Sequence, residues 1–176
     1  NSSTGTCIAV FSSNDSANKM KISSDNGTTW TSLTSYNGNN CHSGISSDDN
    51  GRWVSVGGNG GYYSDDDGVT WTQSSSNFDS THGLTNDKNG KWIAVGALNA
   101  AYVSTDGGNG WSNHGIGGTL WLNNLNSVTT DGNGTWVASG EAGRSIYSTD
   151  DGATFTQAVT GKEAGVSIHT FFDVAA

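Results

Sequence analysis

The chain repeats one eight-residue pattern four times, Ser-x-Asp-x-Gly-x-x-aromatic. Its aspartates recur at intervals of 41, 40 and 44 residues. A fixed period near 40 residues is typical of proteins built from similar structural units, so four such units account for most of the 176 residues. The residues that define the four copies are Ser23, Asp25, Gly27 and Trp30; Ser64, Asp66, Gly68 and Trp71; Ser104, Asp106, Gly108 and Trp111; and Ser148, Asp150, Gly152 and Phe155.

A second motif alternates with the first, as DDNGRWVSVG, DKNGKWIAVG and DGNGTWVASG, with a degenerate copy GTCIAV near the start. Runs of β-branched and aromatic residues between Asn-Gly or Asp-Gly turns predict about four short strands per unit. In the second unit these strands are predicted at 44–47, 53–56, 61–64 and 70–73. Four strands in about 40 residues is the pattern of a propeller blade. The sequence therefore predicts an all-β fold, a small β-propeller of four four-stranded blades.

The predicted blade units are residues 1–35 together with 166–176, then 36–76, 77–120 and 121–165. The first unit lacks its innermost strand, whereas residues 166–174 resemble such a strand without the hairpin partner that should follow it. We therefore expect the C-terminal strand to complete the first blade, which removes two exposed edges. It does so either within one molecule, closing a ring, or in a neighbour, generating a dimer, a ring or a filament.

The four Ser-x-Asp-x-Gly-x-x-aromatic copies resemble the Asp-box, or BNR, repeat of sialidase-like, Ycf48-like and lectin-like propellers. The resemblance covers nearly the whole chain and implies the fold, but these families perform unrelated functions. In such a turn a carboxylate accepts hydrogen bonds from backbone N–H groups, glycine takes a positive φ and the aromatic ring packs beneath the turn. The repeated residues are therefore interpreted as structural. The adjacent carboxylates Asp65, Asp66 and Asp67 leave weak calcium binding open, and no other cofactor is expected.

Charge and composition exclude some partners. The formal net charge is −9, with only Arg52 and Arg144 as arginines, so neither nucleic acid nor an anionic membrane surface is an expected partner. No apolar run approaches the length needed for membrane insertion. The chain begins at Asn1 and has its only methionine at Met20, which favours a mature, secreted protein. Candidate glycosylation sites, each in an Asn-x-Ser/Thr sequon, are Asn1, Asn14, Asn26 and Asn133.

The connections between blades vary most, so a ligand is expected on the face opposite the Asp-box turns. Trp121 lies in the longest connection and, with neighbouring amides, suits the apolar face and the hydroxyl groups of a sugar; the alternative is that it fills space between blades. The four histidines show no metal-binding spacing, and no metal site is predicted. The ligand-binding candidates are Trp121, Asn123, Asn124, Tyr36, Phe78, His114, Glu141 and Arg144.

An enzymatic role finds little support. A sialidase-like site implies three arginines around a carboxylate, and the chain has two. A glycosidase needs two carboxylates across a cleft, and nothing in the spacing selects Glu141 and Glu163, the only glutamates. The sequence therefore favours a secreted, non-enzymatic module that binds a glycan or another extracellular ligand. The alternatives are a structural subunit of an extracellular filament or sheath and, remotely, a glycoside hydrolase.

Cys7 occupies the position that tryptophan holds in the other three units, and it reads most simply as a small buried hydrophobe. Cys41 lies near the opposite end of its blade, so a Cys7–Cys41 disulfide is geometrically awkward although an oxidising location would permit it. The sequence leaves open both a free Cys7 thiol and a Cys7–Cys41 disulfide.

Overall fold

The computed structural model describes residues 5–11, 20–33, 42–58, 60–76, 78, 80–115, 123–158 and 174–175. Within them the chain forms four antiparallel sheets in sequence order, one of three strands and three of four strands. In each sheet the strands are neighbours in the order in which the chain forms them. No helix in this described part is long and apolar enough to cross a membrane.

The strand bounds repeat from sheet to sheet. The first sheet contains β1 (Cys7–Val10), β2 (Met20–Ser23) and β3 (Thr31–Ser32). The second contains β4 (His42–Ser47), β5 (Trp53–Gly57), β6 (Gly60–Ser64) and β7 (Thr72–Gln73). The third contains β8 (Thr81–Asn86), β9 (Trp92–Gly96), β10 (Ala101–Ser104) and β11 (Ser112–Asn113). The fourth contains β12 (Leu125–Thr130), β13 (Trp136–Gly140), β14 (Ser145–Ser148) and β15 (Thr156–Gln157).

The fourth strand of the second sheet is shorter than the sequence predicted. It begins at Thr72 rather than at residue 70. The cause is Thr70, whose backbone N–H donates to Asp66 Oδ1 at 2.8 Å and is committed to the turn instead of to the sheet.

Neighbouring sheets pack through their first strands and share their cores. Gly83 of β8 lies so close to Asn126 and Ser127 of β12 that a Cβ atom there would meet the backbone of both at 2.9 Å. Each apolar cluster joins two consecutive sheets, as where Ile8 of β1 packs with Trp53 of β5. Burying each such large side chain stabilises the fold by about 1.5–3 kcal/mol. The core is therefore a series of seams between sheets.

The innermost strand predicted for the first blade, at 166–174, falls almost entirely on residues that the structure does not describe. The backbone N–H of Val174 donates to Ser127 Oγ at 3.3 Å, which places residue 174 beside β12. Residues 159–173 are not described, so completion of the first blade by the C-terminal strand stays a prediction. Cys7 carries a free, half-buried thiol, and Cys41 lies outside the described residues.

Candidate functional site

The Asp-box turns are closed hydrogen-bonded units. In the second turn, Ser64 Oγ donates to Asp66 Oδ1 at 2.8 Å and accepts the Gly68 N–H at 2.9 Å. Asp66 accepts both the backbone N–H and the hydroxyl of Thr70, and Trp71 Nε1 donates to the Gly68 carbonyl at 2.9 Å. The same pattern of serine, aspartate and glycine recurs in the other three turns. This geometry gives the repeated residues a structural role.

The backbone of the turn explains a position that the motif left unspecified. Gly68 has φ +88°, and Asp67 before it has φ +57°. Two consecutive residues in the left-handed region are tolerated best by Gly, Asn and Asp. The residue before the glycine is Asn26, Asp67, Gly107 or Asp151 in the four turns. That restriction was visible in the sequence, and it was missed because the motif was defined without this residue.

Hydrogen bonding lowers the pKa of the four Asp-box aspartates. The hydroxyl and backbone N–H of Thr29, together with Ser23, lower the pKa of Asp25 to about 2, and Thr154 and Ser148 do the same for Asp150. For Asp66, burial acts to raise the pKa, but the donors of the turn outweigh it and the pKa is lowered. A general acid at neutral pH needs the opposite shift. These carboxylates therefore stay ionised at neutral pH and accept hydrogen bonds within their turns.

The three adjacent carboxylates of the second turn each bond to different partners. Asp66 is held inside the turn, Asp67 accepts hydrogen bonds from Thr6 and Trp53, and Asp65 forms an ion pair with Arg52. Among the described residues no group of three or more His, Cys, Asp or Glu side chains is arranged to hold a metal ion. Weak calcium binding stays a prediction.

On the opposite face, the structure brings two of the predicted ligand residues together. The Asn124 backbone N–H donates to Glu141 Oε2 at 3.2 Å, and its side-chain Nδ2 donates to Glu141 Oε1 at 3.1 Å. The Glu141 backbone N–H returns a bond to the Asn124 carbonyl at 2.9 Å. Glu141 opens a short 3₁₀ segment, Glu141–Gly143, between β13 and β14. Asn124 thus holds both oxygens of the half-buried Glu141 carboxylate.

The equivalent connection of the third sheet lies beside this pair. Its 3₁₀ segment, Ala97–Asn99, contains Leu98, whose side chain is 61% exposed. The Asn99 N–H donates to the Asn123 carbonyl at 3.0 Å, which joins this connection to the chain entering β12. We call Leu98, Asn123, Asn124 and Glu141 the loop-face cluster. Of the other candidates, Arg144 donates to Gln157 Oε1 at 3.4 Å, toward the outer strand β15.

Two predicted ligand residues make contacts between sheets. Phe78 is only 3% exposed, with its ring centroid 4.9 Å from that of Tyr102 and 5.3 Å from that of Trp111. It fills the seam between the second and third sheets and offers no surface to a ligand. His114 Nδ1 lies 3.0 Å from the Gly152 carbonyl and 3.1 Å from that of Ala153, so it links the third and fourth sheets. Trp121 and Tyr36 lie outside the described residues.

A cleft of about 540 Å³ opens on the Asp-box face between the third and fourth sheets, and sequence reasoning did not anticipate it. It is polar, and the ammonium group of Lys91 reaches across it to Asp151. The exposed sequon residue Asn133 lies on its rim, and Asn26 is exposed at the first Asp-box turn; Asn1 and Asn14 lie outside the described residues. The lining residues are Asp87, Asn89, Gly90, Lys91, Thr105, Gly132, Asn133, Gly134 and Asp151.

No protein-family model matches this chain, and no curated protein sequence matches it. Solved structures do. A structure of Ycf48 bound to D1 peptide matches with a TM-score of 0.56 at 20% identity, over 67% of this chain and 40% of that one. An ancestral GH74 enzyme matches with a TM-score of 0.69 at 16% identity, over 87% of this chain and 22% of that one.

The GH74 xyloglucanase from Xanthomonas campestris is also similar, with a TM-score of 0.66 at 15% identity, over 88% of this chain and 28% of that one. This chain thus spans less than half the length of each of these three proteins. Identities this low carry the fold and not the activity. With four antiparallel sheets that follow one another along the chain, the similarities show that this protein is a β-propeller.

Proposed function

We propose that the protein is a secreted, non-enzymatic binding module that recognises a glycan through its loop-face cluster. The observation that carries this proposal is the Glu141 carboxylate, held by Asn124, on the same loop face as the exposed Leu98. Asn99, which follows Leu98, is hydrogen-bonded to Asn123, which precedes Asn124. A carboxylate has about four acceptor positions, and Asn124 occupies two of them. The remainder suit sugar hydroxyls, while Leu98 suits the apolar C–H face of a sugar ring.

Among the described residues, which do not include Glu163, the same geometry favours binding over hydrolysis. A glycosidase needs a second carboxylate across the scissile bond. The Asp-box aspartates are held by their own turns, at the end of the sheets opposite to Glu141. GH74 enzymes share the fold, and so does Ycf48, which has been solved with a bound peptide. The fold therefore accommodates binding as well as hydrolysis, and the proposal rests on the site.

A glycan array followed by titration calorimetry with a bound sugar tests the proposal. Glu141→Gln should weaken binding about tenfold, because a hydrogen bond to a charged acceptor is worth about 1.5–3 kcal/mol. Val69→Ala, which alters an exposed apolar residue on the opposite face, is the matched control and should leave affinity unchanged. Failure to bind any glycan would contradict the proposal, as would hydrolysis of a bound sugar.

A structural subunit of an extracellular filament or sheath is the second candidate function. The specific observation in its favour is an exposed apolar surface on the first sheet and another on the fourth, each formed by residues whose equivalents in the other sheets are less exposed. These surfaces lie apart from the loop-face cluster, so the two candidates can be tested separately. Negative-stain electron microscopy of the purified chain should show long regular polymers if this function is correct.

A further inference from the structure

The seam between consecutive sheets is built in the same way three times. In each seam an Asp-box glycine lies against an apolar residue of the preceding sheet. An added Cβ would meet Ile8 Cδ1 at 2.3 Å from Gly68, Val54 Cγ2 at 2.7 Å from Gly108, and Ile93 Cδ1 at 2.8 Å from Gly152. We call this apolar side of a sheet its leading face. It is centred on the second residue of β1, β5, β9 or β13, which is Ile8, Val54, Ile93 or Val137. The trailing face of a sheet is the Asp-box turn with its aromatic residue.

Hydrogen bonds cross these seams at equivalent positions. The residue before the leading-face strand donates to the next Asp-box turn: Thr6 Oγ1 to Asp67 Oδ2 at 2.7 Å, and Arg52 Nε to the Gly107 carbonyl at 2.7 Å. In the third seam, Lys91 Nζ donates to the Asp151 carbonyl. The partner is always the residue before the Asp-box glycine. The seam is therefore a repeated, specific interface with an apolar centre and a polar rim.

In the part of the chain that the structure describes, no other sheet covers the trailing face of the first sheet. Trp30 is 40% exposed, whereas its equivalents Trp71 and Trp111 are half-buried and Phe155 is buried. Among the described residues, a Cβ atom added to Gly27 would meet only the ring of Trp30, at 3.8 Å. The first Asp-box turn thus has the shape of the other three without a neighbour in its place.

The fourth sheet has the complementary leading face. Val137 pairs with Tyr147 in the register in which Ile93 pairs with Val103 in the third sheet. Ile93 and Val103 are buried by the fourth sheet, but Tyr147 is 39% exposed and Val137 is only half-buried. Each half of the repeated seam is therefore exposed once, at opposite ends of the row of sheets.

We propose that a second copy of this chain docks head to tail, its first sheet against the fourth sheet of its neighbour. Gly27 of one copy would then lie on Val137 of the next, and Trp30 beside Tyr147, as in the three internal seams. Both faces are uncharged at these positions, which matters in a chain with a net charge of −9. This inference deepens the second candidate function, since a head-to-tail contact yields a ring if the rotation closes and a filament if it does not.

Three variants of the full 176-residue chain test the proposal. Tyr147→Glu places a charge on the leading face, and Trp30→Ala empties the trailing face. Val69→Glu, which changes an exposed apolar residue of the second Asp-box turn, is the matched control. Circular dichroism verifies that each variant is folded, and Tyr147→Glu keeps the test informative if Trp30→Ala does not fold.

Light scattering after size exclusion should give wild type and Val69→Glu at least twice the 18.2 kDa chain mass. Tyr147→Glu and Trp30→Ala should each be a monomer. Their equimolar mixture should form a two-chain complex, because each variant retains one intact face. A monomeric wild type, or a mixture that stays monomeric, would overturn the proposal. Closed rings by electron microscopy would support the interface while contradicting the filament function, and long polymers would support both.

Discussion

The two ends of each sheet differ in how much the fold constrains them. At the Asp-box end, four turns repeat the same serine, aspartate and glycine hydrogen bonds. At the other end, the second sheet turns tightly between Gly57 and Gly60, while the third and fourth insert 3₁₀ segments of different sequence. A saturated, repeated end fixes the scaffold. The variable end is free to carry side chains whose purpose is not packing.

The largest effect on the free energy of unfolding should come from a glycine at the variable end. Some positions at this end are therefore as constrained by packing as those of the Asp-box turns. A Cβ atom on Gly140 would lie 2.0 Å from the Asn124 carbonyl oxygen, which also accepts the Glu141 N–H. Gly140→Ala should therefore lower the free energy of unfolding by about 3 kcal/mol, as expected for overpacking against backbone. Gly51→Ala, with nothing within 4 Å, is the control, and it should cost about 1 kcal/mol because of its positive φ. Urea denaturation gives both values, and equal losses would contradict the comparison.

Removing one hydroxyl at the repeated end should have the next largest effect. Ser64 is buried, and its Oγ accepts the Gly68 N–H while donating to Asp66. Ser64→Ala leaves that N–H unsatisfied, which costs about 1–3 kcal/mol. Chemical denaturation of Ser64→Ala and of Gln73→Ala, an exposed strand residue, makes the comparison. A change no larger than that of Gln73→Ala would mean that water replaces the serine.

The Asp-box end should also govern stability in acid. The pKa of Asp25 and that of Asp150 are lowered from 3.8 to about 2 in the folded protein. A lowered pKa stabilises the fold above the unfolded value and loses that contribution as pH falls from about 4 to about 2. The double variant Asp25→Asn/Asp150→Asn should show a flatter decline over this range. Thermal unfolding at stepwise pH measures it, and parallel curves for the two proteins would refute the assignment.

Local features were predictable because their hydrogen bonds close within eight residues. The Asp-box turns follow from a motif that carries its own donors and acceptors, and the strands follow from the alternation between turns. The burial of Phe78 was not predictable, because it depends on Tyr102 and Trp111 from a different blade. Likewise, Asn124 and Glu141 were separate candidates until folding brought residues 17 apart into contact.

The smallest predicted effect lies in the cleft between the third and fourth sheets, where the third sheet contacts the fourth Asp-box turn. Lys91 forms an ion pair with Asp151, whose side chain is half exposed. Exposed pairs contribute about 0.2–1 kcal/mol and weaken in salt. Lys91→Met should therefore lower the free energy of unfolding by about 0.5 kcal/mol in low salt and by less at high salt. Lys88→Met, at a more exposed pair with Asp49, is the control and should change stability less. A larger loss at Lys88 would mean that the seam draws its strength from packing alone, and that Lys91 serves only to shape the cleft.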